Sequence, residues 1–153
     1  MTGIDANILL YAYVDRAPEH PAAHAFLTEN ADNSAFVVSE FTLTEFYLLL
    51  RNPAVLRNPL PSGKACAVIE SYRQHPTWKI VGFPPHGREL HDRLWHLANR
   101  PQFARRRIYD LRTALTLQAF GVTGFATANL KDFQGLGFNR VWNPVGKSTK
   151  RRA

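Results

Sequence analysis

Short apolar runs alternate with longer stretches of helical periodicity along most of the chain. The apolar runs have the length of strands and fall at residues 3–4, 35–38, 78–83, 124–127 and 140–142. The stretches whose apolar residues recur at helical spacing fall at residues 7–14, 20–27, 39–50, 64–74, 88–99 and 108–120. Strands that alternate with helices are typical of a parallel sheet with helices on both faces. We therefore predict an α/β fold with a short, mainly parallel central sheet.

Turn-forming residues separate these elements without dividing the chain into two domains. Residues 51–63 and 129–139 contain the prolines, glycines and asparagines that favour loops. No internal repeat and no shift in composition marks a second folding unit. We expect a single domain at residues 1–146, followed by a basic, flexible tail at residues 147–153.

Composition and charge narrow the classes of partner. The 153 residues are 45% hydrophobic and 20% charged, which is typical of a globular protein and excludes a disordered one. The net charge is +7 and the isoelectric point is about 10, which favours a polyanionic partner such as nucleic acid. The alternative is that the charge only keeps the protein soluble.

The cysteine count and the apolar runs bear on the compartment. Cys66 is the only cysteine, so no internal disulfide forms, and this suits a reducing environment. The N-terminus lacks the basic and apolar regions of a signal peptide. No apolar run approaches the roughly 20 residues that span a bilayer. We expect a soluble, cytoplasmic protein that makes no membrane contact.

Three acidic residues stand where chemistry is expected. Asp5 follows the first short strand, and open α/β folds bind ligands at that edge of the sheet. Glu45 lies within an apolar stretch, which predicts a buried helix and therefore a costly buried carboxylate that a cation would stabilise. Asp110 opens the helix predicted at residues 108–120. The alternatives are helix capping for Asp5 and Asp110, and solvent exposure or an arginine partner for Glu45.

An ordered set of short motifs spans nearly the whole chain. In one-letter code the blocks are IDANILLYAY, SEFTLTEFYLLLRNPAV, RRIYDLRTALTLQAFGVTGFATANLKDF and RVWNP. They contain Asp5-x-Asn7, Thr44-Glu45-Phe46, Asp110 and Thr127-x-Asn129-x-x-Asp132-Phe133. The set resembles the PIN domain, in particular the VapC-type ribonuclease toxins of bacterial toxin–antitoxin systems. The resemblance implies a three-layer, Rossmann-like α/β/α sandwich that binds Mg²⁺, or Mn²⁺ as a substitute, through Asp5, Glu45 and Asp110.

One position departs from the family pattern. Many members have an acidic residue where Asn129 stands, and the nearest acid here is Asp132. Either Asp132 supplies a fourth catalytic charge, or the site works with three carboxylates and an amide. We interpret Asn7, Thr127 and Asn129 as groups that hydrogen-bond the metal ligands. The alternative for these three is an ordinary role at turns and strand ends.

The resemblance also implies a substrate and partners. It implies cleavage of single-stranded RNA by water that the metal activates, a cognate antitoxin that holds the toxin inactive, and a homodimer. The basic run Arg105, Arg106 and Arg107, together with Arg112, is the candidate contact with RNA phosphates, and a solvated loop is its alternative. Two other functions stay open: a catalytically weak module that binds RNA or a partner, and a DNA-directed nuclease of the same fold.

Overall fold

Five short strands and seven helices follow one another along residues 1–146, the part of the chain that the computed structural model describes. The predicted tail at residues 147–153 lies outside the described residues. The strands are β1 (Thr2–Ile4), β2 (Phe36–Ser39), β3 (Lys79–Val81), β4 (Gly124–Ala126) and β5 (Arg140–Trp142). The helices are α1 (Ala6–Tyr13), α2 (His20–Glu29), α3 (Glu40–Leu50), α4 (Ser62–Arg73), α5 (Gly87–Ala98), α6 (Arg107–Ala119) and α7 (Leu130–Phe133).

The strands form one sheet in the order β3-β2-β1-β4-β5, and every pairing in it is parallel. The prediction of a mainly parallel sheet is confirmed, and the described sheet is wholly parallel. β1 lies at the centre, where Gly3 pairs with Val37 on one side and with Phe125 on the other. Because all strands run the same way, the residues that follow β1, β2 and β4 meet at one edge of the sheet.

Helices cover both faces of the sheet and bury two separate apolar clusters. Along β2 the side chains alternate, so that Phe36 and Val38 enter one cluster while Val37 enters the other. The first cluster contains the buried residues of α1 and α3, and the second contains those of α6 with Leu94 and Phe125. This confirms the three-layer α/β/α sandwich.

The central strand is packed too closely to accept a side chain at Gly3. A Cβ atom there would lie 3.1 Å from Phe125 Cδ2, 3.1 Å from Val122 Cγ1 and 3.2 Å from Leu117 Cδ1. All three neighbours belong to the second apolar cluster. The glycine therefore lets α6 and the adjoining strand approach β1 closely, which keeps the edge after β1 next to α6.

Several element boundaries differ from the predicted ones for identifiable reasons. Ser39 caps α3 as its sequence suggests, accepting a hydrogen bond from the Thr42 backbone N–H at 3.0 Å. Trp78 does not belong to β3, because its backbone N–H donates to the Nδ1 atom of His75 at 3.2 Å and not to a neighbouring strand. The loop predicted at residues 129–139 contains the single-turn helix α7. Within residues 1–146, no helix is both long and apolar enough to cross a membrane.

Candidate active site

Asp5 directly follows the central strand, and two neighbouring side chains hold its carboxyl group. Asn7 Nδ2 donates to Asp5 Oδ2 at 2.7 Å, and the Thr127 hydroxyl donates to the same oxygen at 2.6 Å. Asn7 Nδ2 also lies 3.3 Å from Thr127 Oγ1, which closes the network. Both donors converge on Oδ2, so no side chain among the described residues donates to Oδ1. The network orients the carboxyl group, and the backbone N–H groups of Ala6 and Asn7 also stabilise its charged form.

Burial changes the acidity of Asp5. Only 7% of the residue is exposed. Burial raises the pKa of Asp5 above its ordinary value of 3.8, and the hydrogen bonds from Thr127 and Asn7 oppose that rise. Asp5 precedes α1, but its side chain makes no capping hydrogen bond of good geometry to that helix. The backbone N–H groups of Ala6 and Asn7 nevertheless favour its charged form, so the capping alternative stays open. A buried carboxyl group with a perturbed pKa is also typical of a functional site.

Glu45 faces a cleft instead of the core. Its apolar surroundings predicted a buried helix, and that prediction is wrong: Glu45 is exposed, and Leu48 on the same side of α3 is 62% exposed. The other side of α3 supplies the packing with the sheet. Neighbouring protein still removes part of the hydration of the carboxyl group. This desolvation, followed by the negative charges of Asp5 and Asp110, raises the pKa of Glu45 to about 7.

Asp110 joins the same electrostatic group from α6. It lies in the first turn of that helix, so it also satisfies the alternative interpretation of a first-turn acid. Burial, and then the charges of Asp132 and Asp5, raise the pKa of Asp110 to about 6, while Arg107 and Arg106 oppose the rise. Four acidic residues from distant parts of the sequence thus act on one another at the carboxyl edge of the sheet.

An open cleft of about 740 Å³ lies between α3, α6 and α7. Glu45 lines it from α3, Asp110 from α6, and Asn129 and Asp132 from the loop and helix after β4. Asp5 does not line the cleft, although its charge raises the pKa of both Glu45 and Asp110. The structure therefore brings Glu45, Asp110 and Asp132 to one cleft, and Asp5 is buried near enough for its charge to act on Glu45 and Asp110.

Three of the four predicted RNA-binding arginines line the same cleft. These are Arg106, Arg107 and Arg112, whereas the exposed Arg105 does not line it. Arg107 Nη2 donates to the Gln134 carbonyl at 3.1 Å, which fixes that side chain against the segment after α7. Cations and carboxyl groups thus share one concave surface, as contact with a phosphodiester requires.

The residues predicted to support the ligands form a link between α1 and the end of β4. Asn7 Oδ1 accepts a hydrogen bond from the Ala128 backbone N–H at 3.2 Å, and Thr127 Oγ1 accepts one from the Asn129 N–H at 2.9 Å. Asn129 uses its backbone for this contact, and its side chain lies beside the cleft. The link holds the Asn129 to Asp132 segment next to the carboxyl group of Asp5.

The donor set suits a hard divalent cation. Within the part of the chain that the structure describes, no three acidic, histidine or cysteine side chains stand close enough to form a complete set of ligands. Mg²⁺ keeps several of its waters and binds proteins through one or two carboxylates, so it needs no such set. Burial raises the pKa values of Glu45 and Asp110, the charges of neighbouring acids raise them further, and a bound cation would relieve that repulsion. Carboxylates such as those of Glu45 and Asp110, completed by water, are therefore donors of the kind that such an ion takes.

Sequence reasoning missed the aromatic residues beside the acids. Phe41 and Tyr109 line the cleft, and the ring of Phe83 packs edge-on against that of Phe41 with centroids 5.7 Å apart. Four other aromatic residues, Tyr11, Tyr13, Trp95 and Phe103, do not line the cleft. Tyr109 stands immediately before Asp110 and three residues from Arg112 on one helix face, and this spacing is the signal that could have identified it.

Comparison with known proteins gives close relatives by sequence and by structure. The chain is 44% identical over 145 residues to Ribonuclease VapC24 of Mycobacterium tuberculosis, covering 95% of this chain and 97% of the relative. The structure of the Mycobacterium tuberculosis toxin VapC20, described as cleaving the sarcin-ricin loop, superposes with a TM-score of 0.66 at 14% identity, covering 90% of this chain and 96% of that one. The structure of FitAcB from Neisseria gonorrhoeae superposes with a TM-score of 0.63 at 20% identity, covering 94% of this chain and 98% of that one. No family model matches the chain.

The parallel sheet with acidic residues at one edge has the fold of these structural neighbours, and the 44% identity to Ribonuclease VapC24 places the chain in the class of PIN-domain proteins. Within that class the chain belongs to the VapC-type ribonuclease toxins, because it matches one of them at 44% identity over nearly its whole length. The resemblance seen in the sequence is thereby confirmed, and so is the broad assignment as an endoribonuclease of toxin type.

Proposed function

We propose that this toxin cleaves single-stranded RNA in a reaction that depends on Mg²⁺, with Mn²⁺ as a substitute. The observation that carries the proposal is the electrostatic group formed by Asp5, Glu45 and Asp110 at the edge of the sheet. Burial, and then the charges of neighbouring acids, Asp5 among them, raise the pKa of Glu45 to about 7 and that of Asp110 to about 6. Carboxyl groups that repel one another in an open cleft are costly unless a cation or proton joins them.

Each acid has its own part in holding the ion. Asp5 is oriented by Asn7 and Thr127, so it offers an oxygen at a defined place. Glu45 and Asp110 approach from the two helices that form the walls of the cleft. When bound, a divalent ion lowers the pKa of a water and neutralises the charge that develops on the phosphate. Asp132 lines the rim of the same cleft and is our candidate for a fourth catalytic acid, with Asn129 beside it.

The basic residues explain how an anionic strand reaches an acidic centre. Arg106, Arg107 and Arg112 line the cleft, and the exposed Arg105 precedes them in the turn before α6. Arginine contacts to phosphates supply affinity that does not depend on sequence. The net charge of +7 adds long-range attraction for the strand.

Family membership supports two protein partners. We propose a cognate antitoxin that holds the toxin inactive, and a homodimer as the form of the toxin itself. Expression together with the product of a neighbouring short reading frame would test the first, and sedimentation of the purified chain would test the second. An antitoxin that binds without suppressing cleavage would contradict the regulatory part of the proposal.

A cleavage assay with purified protein tests the catalytic proposal. Labelled single-stranded RNA, single-stranded DNA and duplex RNA are incubated with Mg²⁺, with Mn²⁺ or with EDTA. We expect cleavage of the single-stranded RNA in either ion, none in EDTA, and none by the Asp5→Asn variant. Cleavage that persists in EDTA would refute the metal dependence, whereas preferred cleavage of DNA would favour the DNA-directed alternative.

A further inference from the structure

Arg112 is held in the cleft by aromatic rings instead of by a carboxylate. Its guanidinium carbon lies 4.0 Å from the centroid of the Phe41 ring and 5.6 Å from that of Tyr109. Although the cleft contains three acidic side chains, Arg112 forms no ion pair among the described residues. Its Nε is buried and has no hydrogen-bond partner within residues 1–146. The guanidinium group is therefore held in place, and its positive charge has no carboxylate partner among the described residues.

The aromatic side chains around Arg112 are unusually exposed. Tyr109 is 61% exposed and Phe83 is 84% exposed. Phe41 connects them, because its ring is stacked under Arg112 and meets the ring of Phe83 at 86°. These exposed apolar rings lie around a fixed cation and beside several carboxyl groups. A ligand that suits such a surface has a flat part for the rings and an anionic part for the cation.

A nucleotide has both of these properties. Its base stacks on an aromatic ring whatever its identity, and its phosphate binds an arginine. A second copy of this chain is a poorer occupant of the same surface, since it carries the same net charge of +7. The composition of the surface therefore favours an unpaired nucleotide of a nucleic acid strand.

We propose that Phe41, Phe83, Tyr109 and Arg112 form a subsite that takes one unpaired nucleotide of the RNA next to the catalytic carboxyl groups. We call these four residues the stacking platform. The proposal rests on the proposed function, because it assigns the substrate strand to the same cleft. Arg112 binds a phosphate, Tyr109 and Phe83 stack the base, and Phe41 acts as a positioning residue that holds the guanidinium group.

The platform explains a preference for single strands in physical terms. In a duplex both faces of each base are already stacked on neighbouring bases, so no ring of the protein reaches them. In a single strand the base is free to leave its neighbours and lie on an exposed ring. The platform thus selects unpaired RNA through stacking, while the other arginines of the cleft contact phosphates without discrimination.

Binding measured without metal tests the platform directly. The probe is a fluorescein-labelled oligoadenylate of about ten nucleotides, a length in the range that single-strand sites cover, with fluorescence anisotropy in EDTA as the readout. We expect Tyr109→Ala and Phe83→Ala each to bind about ten-fold more weakly than the parent protein, the size of one lost base stack. Trp95→Ala is the matched control, because Trp95 is also 61% exposed and does not line the cleft.

Salt dependence separates stacking from phosphate binding. Arg112→Ala should reduce the slope of log affinity against log salt by about one, whereas Tyr109→Ala should leave the slope unchanged. Phe41→Leu should weaken binding through Arg112, so its effect should disappear in the Arg112→Ala background. Arg88→Ala is the control for loss of a charge, since Arg88 pairs with Asp92 outside the cleft. Equal losses for Tyr109→Ala and Trp95→Ala would overturn the proposal.

A probe that lacks bases gives a second, independent result. An oligoribonucleotide of the same length made of abasic units should bind the parent protein and Tyr109→Ala equally, because only the phosphates remain. If Tyr109→Ala still weakens binding of this probe, the ring does not stack a base and the proposal is wrong. If Phe83→Ala changes the sedimentation of the protein and not its affinity, the surface serves a second copy, which also overturns it.

Failure of the platform and failure of the proposed function give different results. Binding in EDTA needs no catalysis, so a protein that binds oligoadenylate through the platform but never cleaves RNA would refute only the proposed function. A protein that cleaves RNA in Mg²⁺ while all platform variants bind like the parent would refute only the platform. In the expected outcome, Tyr109→Ala raises KM for single-stranded RNA and leaves kcat within about two-fold, as a loss of uniform binding does.

Discussion

Removing the charge of Glu45 should stabilise the protein when no metal is present. The pKa of this carboxyl group is raised from its ordinary value of 4.5 to about 7. A folded-state pKa above the unfolded one means that the native state keeps a proton that the unfolded chain gives up. Stability from this group is therefore lost as the pH rises from about 4.5 to about 7.

The size of the effect follows from the same values. A rise from 4.5 to about 7 corresponds to about 3 kcal/mol at neutral pH if the group were fully shielded. Glu45 is exposed in an open cleft, so screening by solvent reduces this to about 1 kcal/mol. For a chain of this length, about 1 kcal/mol raises Tm by about 3 °C. We expect Glu45→Gln to show that gain in EDTA at about pH 8, and almost none at about pH 4.5.

Thermal unfolding followed by circular dichroism is the assay, with Glu29→Gln as the matched control. Glu29 is exposed at the end of α2 and forms no ion pair among the described residues. Mg²⁺ or Mn²⁺ should raise the Tm of the parent protein in proportion to the logarithm of its concentration, and should raise that of Glu45→Gln less. A Glu45→Gln protein no more stable than Glu29→Gln at about pH 8, or a parent indifferent to both ions, would refute the shared site.

Three further results should follow. Asp5→Asn and Asp110→Asn should each abolish RNA cleavage and leave Tm within a few degrees, and near-normal cleavage by either would remove that acid from the site. Asp132→Ala should slow cleavage less than Asp5→Asn does, and Asn129→Asp added to it should restore activity. A normal rate for Asp132→Ala over a full Mg²⁺ titration would leave a site of three acids. Gly3→Ala should cost about 1–3 kcal/mol in urea unfolding, because its Cβ meets three side chains at 3.1–3.2 Å.

The order of apolar runs already determined the layered architecture. Strands that alternate with helices have few ways to bury their apolar faces, and the right-handed connection between parallel strands leaves a covered sheet as the outcome. The same logic placed Asp5 at the sheet edge, since a residue that follows a buried strand can lie nowhere else. Short strands such as β5 were visible because their apolar residues stand between turn signals.

The sequence alone was misleading where an element has two faces with different neighbours. The apolar run around Glu45 predicted a buried helix, yet one face of α3 opens on the cleft and exposes Glu45 and Leu48. The periodicity of a sequence shows how many apolar residues a helix contains. It does not show which of them the neighbouring elements leave exposed. That depends on the tertiary packing, in which α1, α4 and β2 lie against α3.

The raised pKa values and the aromatic surface arise only in the folded chain. Asp5 and Thr127 are 122 residues apart, and their hydrogen bond exists because β1 and β4 pair in register. Phe41, Phe83 and Arg112 come from three separate elements or loops, so no spacing in the sequence connects them. Local chemistry and periodicity determined which residues form each element. Long-range strand pairing and helix packing decided which of their side chains share one cleft, because those contacts join residues that are distant along the chain.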